Sequence, residues 1–145
     1  MKPYPHHYRV DASADPEASV TLHSEGLPVI ETAPPEEFDG PGGQWSPETL
    51  LVAAVADCFI LTFRAIARAS GLAWTRLSAT ASGTLDRVEG GARFTALHLD
   101  ASLTVPADGD VGRARRLLEK AEKGCLITRS LSCPASLETQ VAIES

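Results

Sequence analysis

The segment from Ser46 to Gly71 limits the possible folds of this 145-residue chain more than any other. Ser46 is a good helix N-cap, Pro47 suits the first helical position, and Glu48 suits the positive end of the helix dipole. Gly71 is a plausible stop. Residues 50–63 are apolar on nearly every helical face, which predicts burial on all sides. We therefore expect a central helix that is surrounded by a sheet or by a second subunit.

The rest of the chain alternates in a way that is typical of strands, with one further helix. Alternating apolar residues and turn signals predict these further elements: strands at residues 8–10, 19–23 and 27–30, a hairpin of residues 77–85 and 97–105 turning at residues 89–91, a helix after Asp110 that ends at Gly124, and a last strand at residues 135–143. Without repeats or low-complexity tracts, this order predicts a single α+β domain over residues 1–145.

Composition excludes some classes of function. A net charge of −6, from 19 acidic and 13 basic side chains, argues against a nucleic-acid surface, which needs clustered cations. The only dense basic cluster, Arg113, Arg115 and Arg116, is followed by acids and predicts a solvated, ion-paired helix face. The apolar residues 50–63 are too few to span a bilayer. Residues 1–10 contain no apolar signal-peptide core, so we expect a cytoplasmic protein without membrane contact.

Two cysteines carry the most chemical information. Cys58 lies inside the apolar helix, and Cys125 follows the second helix. In a cytoplasmic chain such thiols are reduced or transiently oxidised, which favours thiol redox chemistry. Cys133, beside Pro134 at the start of the last strand, fits a structural role better.

Other candidate residues have ordinary explanations. The four histidines, at positions 6, 7, 23 and 98, match no dependable metal-ligand spacing, so surface roles are expected. Phe38 and Trp45 flank the loop before the apolar helix. We expect them to be packing residues, with walls of an apolar pocket as the alternative.

Two motifs make the chain resemble the OsmC/Ohr family of thiol peroxidases. Residues 46–59 place a Pro-Glu pair at a helix start, with Cys-Phe ten residues after the Glu, and residues 121–131 place a second Cys after a Lys/Glu-rich helix. The resemblance covers the chain from about Val20 to its end. It implies an α+β OsmC-like fold, with antiparallel sheets around a long buried helix, in an intertwined homodimer whose active sites lie at the subunit interface.

The resemblance also implies roles for four residues. Cys58 is the attacking thiol and Cys125 the resolving thiol, while Glu48 orients an arginine that stabilises the thiolate. Arg9 is the only arginine before Glu48, although it lies farther upstream than in the family pattern. If Arg9 reached Cys58 of the other subunit in a dimer, the longer spacing would be accommodated.

Two further arginines could be considered for the same role, and the sequence differs from the family pattern at one more position. Arg64 follows Cys58 by six residues and should lie on the opposite side of the helix, while Arg129 is the other candidate. Leu126 stands where many members of the family have proline.

The function that the resemblance implies is reduction of hydroperoxides, organic ones in preference. It needs no metal or bound cofactor, and an external thiol, dithiol or lipoyl-type compound serves as reductant. Two alternatives stay open. One is a non-enzymatic protein that binds an apolar ligand at the same cleft, and the other is a redox sensor in which oxidation of Cys58 and Cys125 changes a partner surface.

Overall fold

The computed structural model describes all 145 residues, which form two compact units, Met1–Leu50 and Leu51–Ser145. The chain contains six strands, three helices and a 3₁₀ turn. In order these are β1 (Asp11–Ser13), β2 (Val20–His23), β3 (Ile30–Thr32), the 3₁₀ turn (Glu36–Phe38), α1 (Pro47–Ser70), β4 (Arg76–Val88), β5 (Gly91–Val105), α2 (Val111–Gly124), α3 (Leu126–Arg129) and β6 (Ala135–Ile143). The α+β class is confirmed. That the chain is a single domain stays a prediction.

The N-terminal unit is built on the antiparallel sheet β1-β2-β3. The predicted first strand at residues 8–10 is wrong by three positions, because Asp11 is the residue that pairs with His23 across the sheet. The end of the loop before α1 pairs with the residue that follows β3, because the Ala33 N–H donates to the carbonyl of Trp45 at 3.0 Å. The expected packing roles of Phe38 and Trp45 are not met within the chain, since these side chains are 53% and 52% exposed.

The predicted ends of α1 are confirmed. The Thr49 N–H donates to Ser46 Oγ at 3.1 Å, which satisfies one of the free N–H groups of the first turn. At the other end Gly71 adopts a φ of +67°, a conformation that residues with a Cβ rarely take. Local capping chemistry therefore fixes both ends of this 24-residue helix.

Burial of α1 on all sides, however, is wrong for the single chain. Its buried residues follow a four-residue spacing that forms one stripe: Val55, Phe59, Phe63 and Ala67. Leu61, on another face, is 48% exposed. A single three-stranded sheet with one further long helix covers only part of a helix that is apolar all round.

The length of α1 corrects a second expectation. By length and composition alone it could cross a membrane, with a mean hydropathy of 2.1 over its best window, so the expectation that the apolar segment is too short to span a bilayer is wrong. A mostly buried core helix passes the same test, and 22% of this window is buried in the chain. The buried stripe of α1 belongs to the core cluster of the C-terminal unit.

The C-terminal unit is built on the sheet β4-β5-β6. Strands β4 and β5 form the predicted antiparallel hairpin, and β6 matches the predicted residues 135–143. The pairing of β6 corrects the expectation of antiparallel sheets, because β6 runs parallel to β5. The helices between these strands form the crossover connection that a parallel pair requires.

Helix α2 packs on this sheet and reaches the end of α1. Asp110 caps it by accepting the Arg113 N–H at 2.9 Å. The Arg113 guanidinium donates to the carbonyl of Ser70, the last residue of α1. The predicted ion pairs along α2 are absent, since the two ion pairs of the chain lie elsewhere.

The core lies between the helices and one face of β5. As the alternation predicted, this face is buried along the strand and comprises Leu97, Leu99, Ala101, Leu103 and Val105. Helix α1 lies so close to β4 that a Cβ added at Gly83 would meet Val52 Cγ2 at 2.9 Å. A strand glycine thus marks a close approach, which brings the N-terminal half of α1 against the sheet.

Candidate active site

Cys58 and Cys125 meet where α1 passes the end of α2. A Cβ added at Gly124, the last residue of α2, would lie 3.8 Å from Thr62 Cγ2. Thr62 follows Cys58 by one helical turn, and its hydroxyl lies 3.8 Å from Cys58 Sγ. Cys58 and Cys125 lie close enough for each thiol to shift the pKa of the other. The two cysteines that were singled out in the sequence are therefore neighbours.

Four donors surround the sulfur of Cys58. They are the backbone N–H groups of Leu126 and Ile127, the thiol of Cys125 and the hydroxyl of Thr62. Burial is the largest influence on this thiol and raises its pKa, but the donors together outweigh burial, so the pKa of Cys58 is lowered. Since the thiolate is the nucleophilic form of cysteine, this environment activates Cys58.

Cys125 has the opposite character. It is fully buried, and burial is the main cause that raises its pKa. The hydroxyl of Thr128 donates to Cys125 Sγ at 3.5 Å and opposes the rise, as does the Thr128 N–H. The negative charge of Cys58 raises the pKa further. Of the two thiols, Cys58 therefore ionises the more readily.

A groove of about 500 Å³ opens over Cys58. Its lining combines one face of α1 with the start of α3: Ala54, Asp57, Cys58, Leu61, Thr62, Ala65, Leu126 and Ile127. Asp57 is the only charged side chain among them. A groove of this composition favours a molecule with an apolar body over a small hydrated one.

Glu48 and Arg9, the other two predicted site residues, belong to the N-terminal unit. Arg9 is 87% exposed and forms an ion pair with Asp11 at 3.3 Å. Glu48 lies in the first turn of α1, and its Oε2 is buried without a hydrogen-bond partner. Because buried carboxylate oxygens are normally paired, this atom calls for a donor such as a guanidinium group.

The remaining candidates lie outside the groove. Arg64 and Arg129 are exposed, and neither lines the groove over Cys58. Cys133 is half-buried and packs against the core cluster of the C-terminal unit, in agreement with its predicted structural role.

The sequence reasoning missed the donors around both sulfurs. Backbone N–H groups of Leu126 and Ile127, from another segment, contribute to the lowered pKa of Cys58. Thr62, one turn from Cys58, and Thr128, three residues after Cys125, were visible as signals. No local sequence pattern indicated that the first residues of α3 would face α1.

One group of side chains has the chemistry of metal ligands. His98, Asp100 and Glu138 bring a ligand atom each to within 4.8 Å of one another on the β5–β6 pair. The two carboxylates are exposed, and His98 is hydrogen-bonded to Ser136 at 2.6 Å and to Asp100 at 3.3 Å. Such surface contacts satisfy these groups without an ion, so we assign no metal to them.

Comparison with known proteins places this chain in a family. Residues 40–140 match the family profile described as OsmC-like protein. The chain is 28% identical to the uncharacterised protein YmaD of Bacillus subtilis over 127 residues, which are 86% of this chain and 84% of YmaD. It is 30% identical to peroxiredoxin OsmC of Escherichia coli over 104 residues, which are 72% of this chain and 71% of that protein.

Solved structures share the fold. An OsmC-like protein of unknown function from Vibrio cholerae superposes with a TM-score of 0.84 at 17% identity, over 94% of this chain and 100% of that one. An organic hydroperoxide resistance protein OsmC from Legionella pneumophila gives a TM-score of 0.74 at 24% identity, over 95% and 99%. Together with the profile match over most of its length, these likenesses show that the chain belongs to the OsmC-like family.

Proposed function

We propose that this protein is a cysteine-dependent peroxidase that reduces organic hydroperoxides. The observation that carries the proposal is the pairing of Cys58 with Cys125, two thiols whose pKa values are shifted in opposite directions. A peroxidase of this kind needs one ionised thiol to attack and a second thiol within reach to resolve the product. The pair supplies both.

The relatives support the class of reaction. The Escherichia coli relative is named a peroxiredoxin, and the Legionella pneumophila structure is named an organic hydroperoxide resistance protein. The match with the first protein covers 72% of this chain, and the region that matches the family profile, residues 40–140, contains both cysteine motifs. The relatives therefore support a peroxidase-like role independently of the geometry of the site.

In the first step the Cys58 thiolate attacks one peroxide oxygen. An S–O bond forms and the O–O bond breaks, so that Cys58 becomes a sulfenic acid and the peroxide leaves as an alkoxide. The alkoxide takes a proton and becomes the alcohol. The sulfur is oxidised by two electrons, and the peroxide is reduced by the same two.

In the second step Cys125 resolves the sulfenic acid. Its sulfur attacks Cys58 Sγ, the S–S bond forms, the S–O bond breaks, and hydroxide leaves with the proton of Cys125 as water. An external dithiol, of which a lipoyl-type compound is one form, then reduces the disulfide and is itself oxidised. The reaction needs no metal or organic cofactor.

Glu48 and Arg9 are proposed to assist the chemical step. The buried and unpartnered Oε2 of Glu48 supports a cationic partner at that position. Arg9 is exposed and held only by Asp11, so its guanidinium is free to meet a second copy of the chain. An arginine held by a carboxylate would stabilise the negative charge that develops on the departing alkoxide.

The shape and lining of the groove support an organic substrate. Apart from Asp57, Cys58 and Thr62, its lining residues are aliphatic. An alkyl or aryl hydroperoxide would bury apolar surface there, whereas hydrogen peroxide would gain little.

The proposed reaction also favours the cytoplasm as the compartment, because thiols are kept reduced there between turnovers.

A steady-state assay of peroxide consumption tests the proposal. With cumene hydroperoxide and a dithiol, Cys58→Ser is expected to abolish turnover. Cys125→Ser should allow about one turnover before over-oxidation to the sulfinic acid. Cys133→Ser is the matched control and should keep near-normal activity. An active Cys58→Ser variant with an inactive Cys133→Ser variant would overturn the proposal.

The aliphatic lining of the groove also favours a second candidate, a non-enzymatic protein that binds an apolar ligand over Cys58. Failure of the reduced protein to consume tert-butyl or cumene hydroperoxide with any dithiol would support this candidate. Slow turnover together with stoichiometric disulfide formation would instead indicate a redox sensor.

A further inference from the structure

The groove over Cys58 contains one charged side chain, and that charge is negative. Of the residues that line the groove, only Asp57 carries a carboxylate, and none carries a cation. Asp57 directly precedes Cys58 in the chain, and its side chain is exposed. A molecule that reaches the sulfur through this groove therefore lies close to a carboxylate.

No cation of the chain forms an ion pair with Asp57, since the two ion pairs of the chain lie elsewhere. Arg64 follows Asp57 by seven residues, which is about 10 Å along the helix axis. Arg129 is exposed and does not line the groove. In the proposed dimer Arg9 would be paired with Glu48, and such a pair adds no net charge. The charge of Asp57 is thus not neutralised.

The other side chains of the groove offer no partner to a negatively charged group. The aliphatic residues have no polar side-chain atom, and the hydroxyl of Thr62 already lies 3.8 Å from Cys58 Sγ. An anionic group that entered the groove would lose hydration to these walls without gaining a compensating side-chain partner. Repulsion by Asp57 would add to this cost.

We infer that Asp57 is a specificity-determining residue that favours neutral organic hydroperoxides over those with a negative charge near the peroxide group. This inference rests on the proposed function, because it names the class of hydroperoxide that the same groove accepts. The apolar walls select an apolar body, and Asp57 selects against an anionic one.

Repulsion between two unit charges about 4 Å apart in water corresponds to about a fivefold change in rate. Because Asp57 is exposed, water and salt screen its charge, and we expect an effect of this modest size. It is large enough to measure when two substrates differ only in charge.

The test compares cumene hydroperoxide that carries a carboxylate at the para position with the methyl ester of the same compound. The rate at which the reduced protein consumes each peroxide is measured in a single turnover near pH 7, so that no external reductant takes part. Asp57→Asn removes the charge and keeps the shape of the side chain. Any effect of this change on Cys58 itself multiplies both rates and cancels from their ratio.

Asp57→Asn is expected to lower the ratio of the ester rate to the carboxylate rate by about fivefold. Asp57→Glu keeps the charge and should keep the wild-type ratio. Glu119→Gln is the matched control, because Glu119 is an exposed acid that does not line the groove. Equal ratios in the wild-type protein and in Asp57→Asn would overturn the inference.

Salt distinguishes an electrostatic effect from a steric one. In about 1 M salt the screening length falls to about 3 Å, so the wild-type ratio should approach that of Asp57→Asn. A difference between the two proteins that stays the same in high salt would contradict the inference, because shape and not charge would then discriminate.

Alkylation of Cys58 separates the inference from the proposed function, because it needs no peroxidase activity. Asp57→Asn should raise the rate with iodoacetate, which is anionic, by about fivefold relative to the rate with neutral iodoacetamide. A protein that shows this change but consumes no hydroperoxide would keep the charge selectivity of Asp57 and remove the proposed function. A peroxidase whose ratios are unchanged in Asp57→Asn would keep the proposed function and overturn the inference.

Discussion

Cys58 and Cys125 are neighbouring thiols whose pKa values are shifted in opposite directions. Donors from α3 and Thr62 lower the pKa of Cys58 against the effect of burial, while burial and the neighbouring charge raise the pKa of Cys125. The two thiols therefore differ in how readily they ionise. That difference supports the proposed attacking role of Cys58.

The pH dependence of alkylation should separate the two thiols. Since the pKa of Cys58 is lowered, its alkylation profile should have its midpoint at a lower pH in the folded protein than in the unfolded protein. The pKa of Cys125 is raised, so its midpoint should move to higher pH on folding. Quantitative mass spectrometry of both peptides measures the profiles, and the unfolded protein is the control. Coincident profiles in the folded protein would contradict the assignment.

Replacing Thr62 tests the side-chain donor on Cys58. Thr62→Val removes the hydroxyl that lies 3.8 Å from Cys58 Sγ and keeps the shape of the side chain. We expect alkylation of Cys58 near pH 7 to slow by about threefold to tenfold, because a hydrogen bond to a charged group is lost. Thr62→Ser keeps the hydroxyl and should retain most of the wild-type rate. If both variants lose the same amount, the hydroxyl is not a donor to the thiolate.

Arg9→Ala should show whether Arg9 acts on the ionisation of Cys58 or on the reduction of the peroxide. If Arg9 acts on the departing oxygen, turnover of cumene hydroperoxide should fall by about a hundredfold, while the alkylation profile of Cys58 stays in place. Arg64→Ala, at an exposed arginine outside the groove, is the control. Unchanged turnover would remove Arg9 from the site, and an alkylation profile moved to higher pH would show that Arg9 stabilises the Cys58 thiolate instead.

Gly83→Ala tests the close approach of α1 to the sheet. The added Cβ would meet Val52 Cγ2 at 2.9 Å and Phe94 Cε1 at 2.8 Å, so we expect a loss of about 1–3 kcal/mol in the free energy of unfolding. Urea unfolding at one fixed protein concentration measures it, with Ser82→Ala on the exposed face as control. Adding Val52→Ala should relieve part of the clash. A Gly83→Ala variant as stable as wild type would show that α1 is not in contact there.

Light scattering tests the proposed homodimer. The exposed apolar surface of α1, of which Leu61 is 48% exposed, favours a second copy as its cover. We expect a mass of about 31 kDa, twice the 15.4 kDa of the chain, that persists to low micromolar concentration. A folded monomer with full activity would contradict this expectation.

The sequence predicted what short-range chemistry controls. The ends of α1, with a cap at Ser46 and a left-handed Gly71, follow from local residues, and so does the buried face of β5. The two cysteines were found through residue motifs and a family resemblance. The parallel pairing of β6 was also within reach, because a helix between two adjacent strands signals a crossover.

The remaining features depend on contacts between distant segments. Leu126 and Ile127 lie beside Cys58 only because α3 comes close to α1. No local sequence pattern predicts that contact. The one-sided burial of α1 likewise reflects how much surface a three-stranded sheet can cover. The shifted start of β1 was set by its pairing with β2, not by its own strand propensity.

The most direct test of the account is mass spectrometry of the reduced protein after one equivalent of cumene hydroperoxide. We predict the loss of two hydrogens, about 2 Da, from the intact chain and a cross-linked peptide that joins Cys58 to Cys125. Cys133 should remain free. A link between Cys58 and Cys133, or no oxidation at all, would contradict the account.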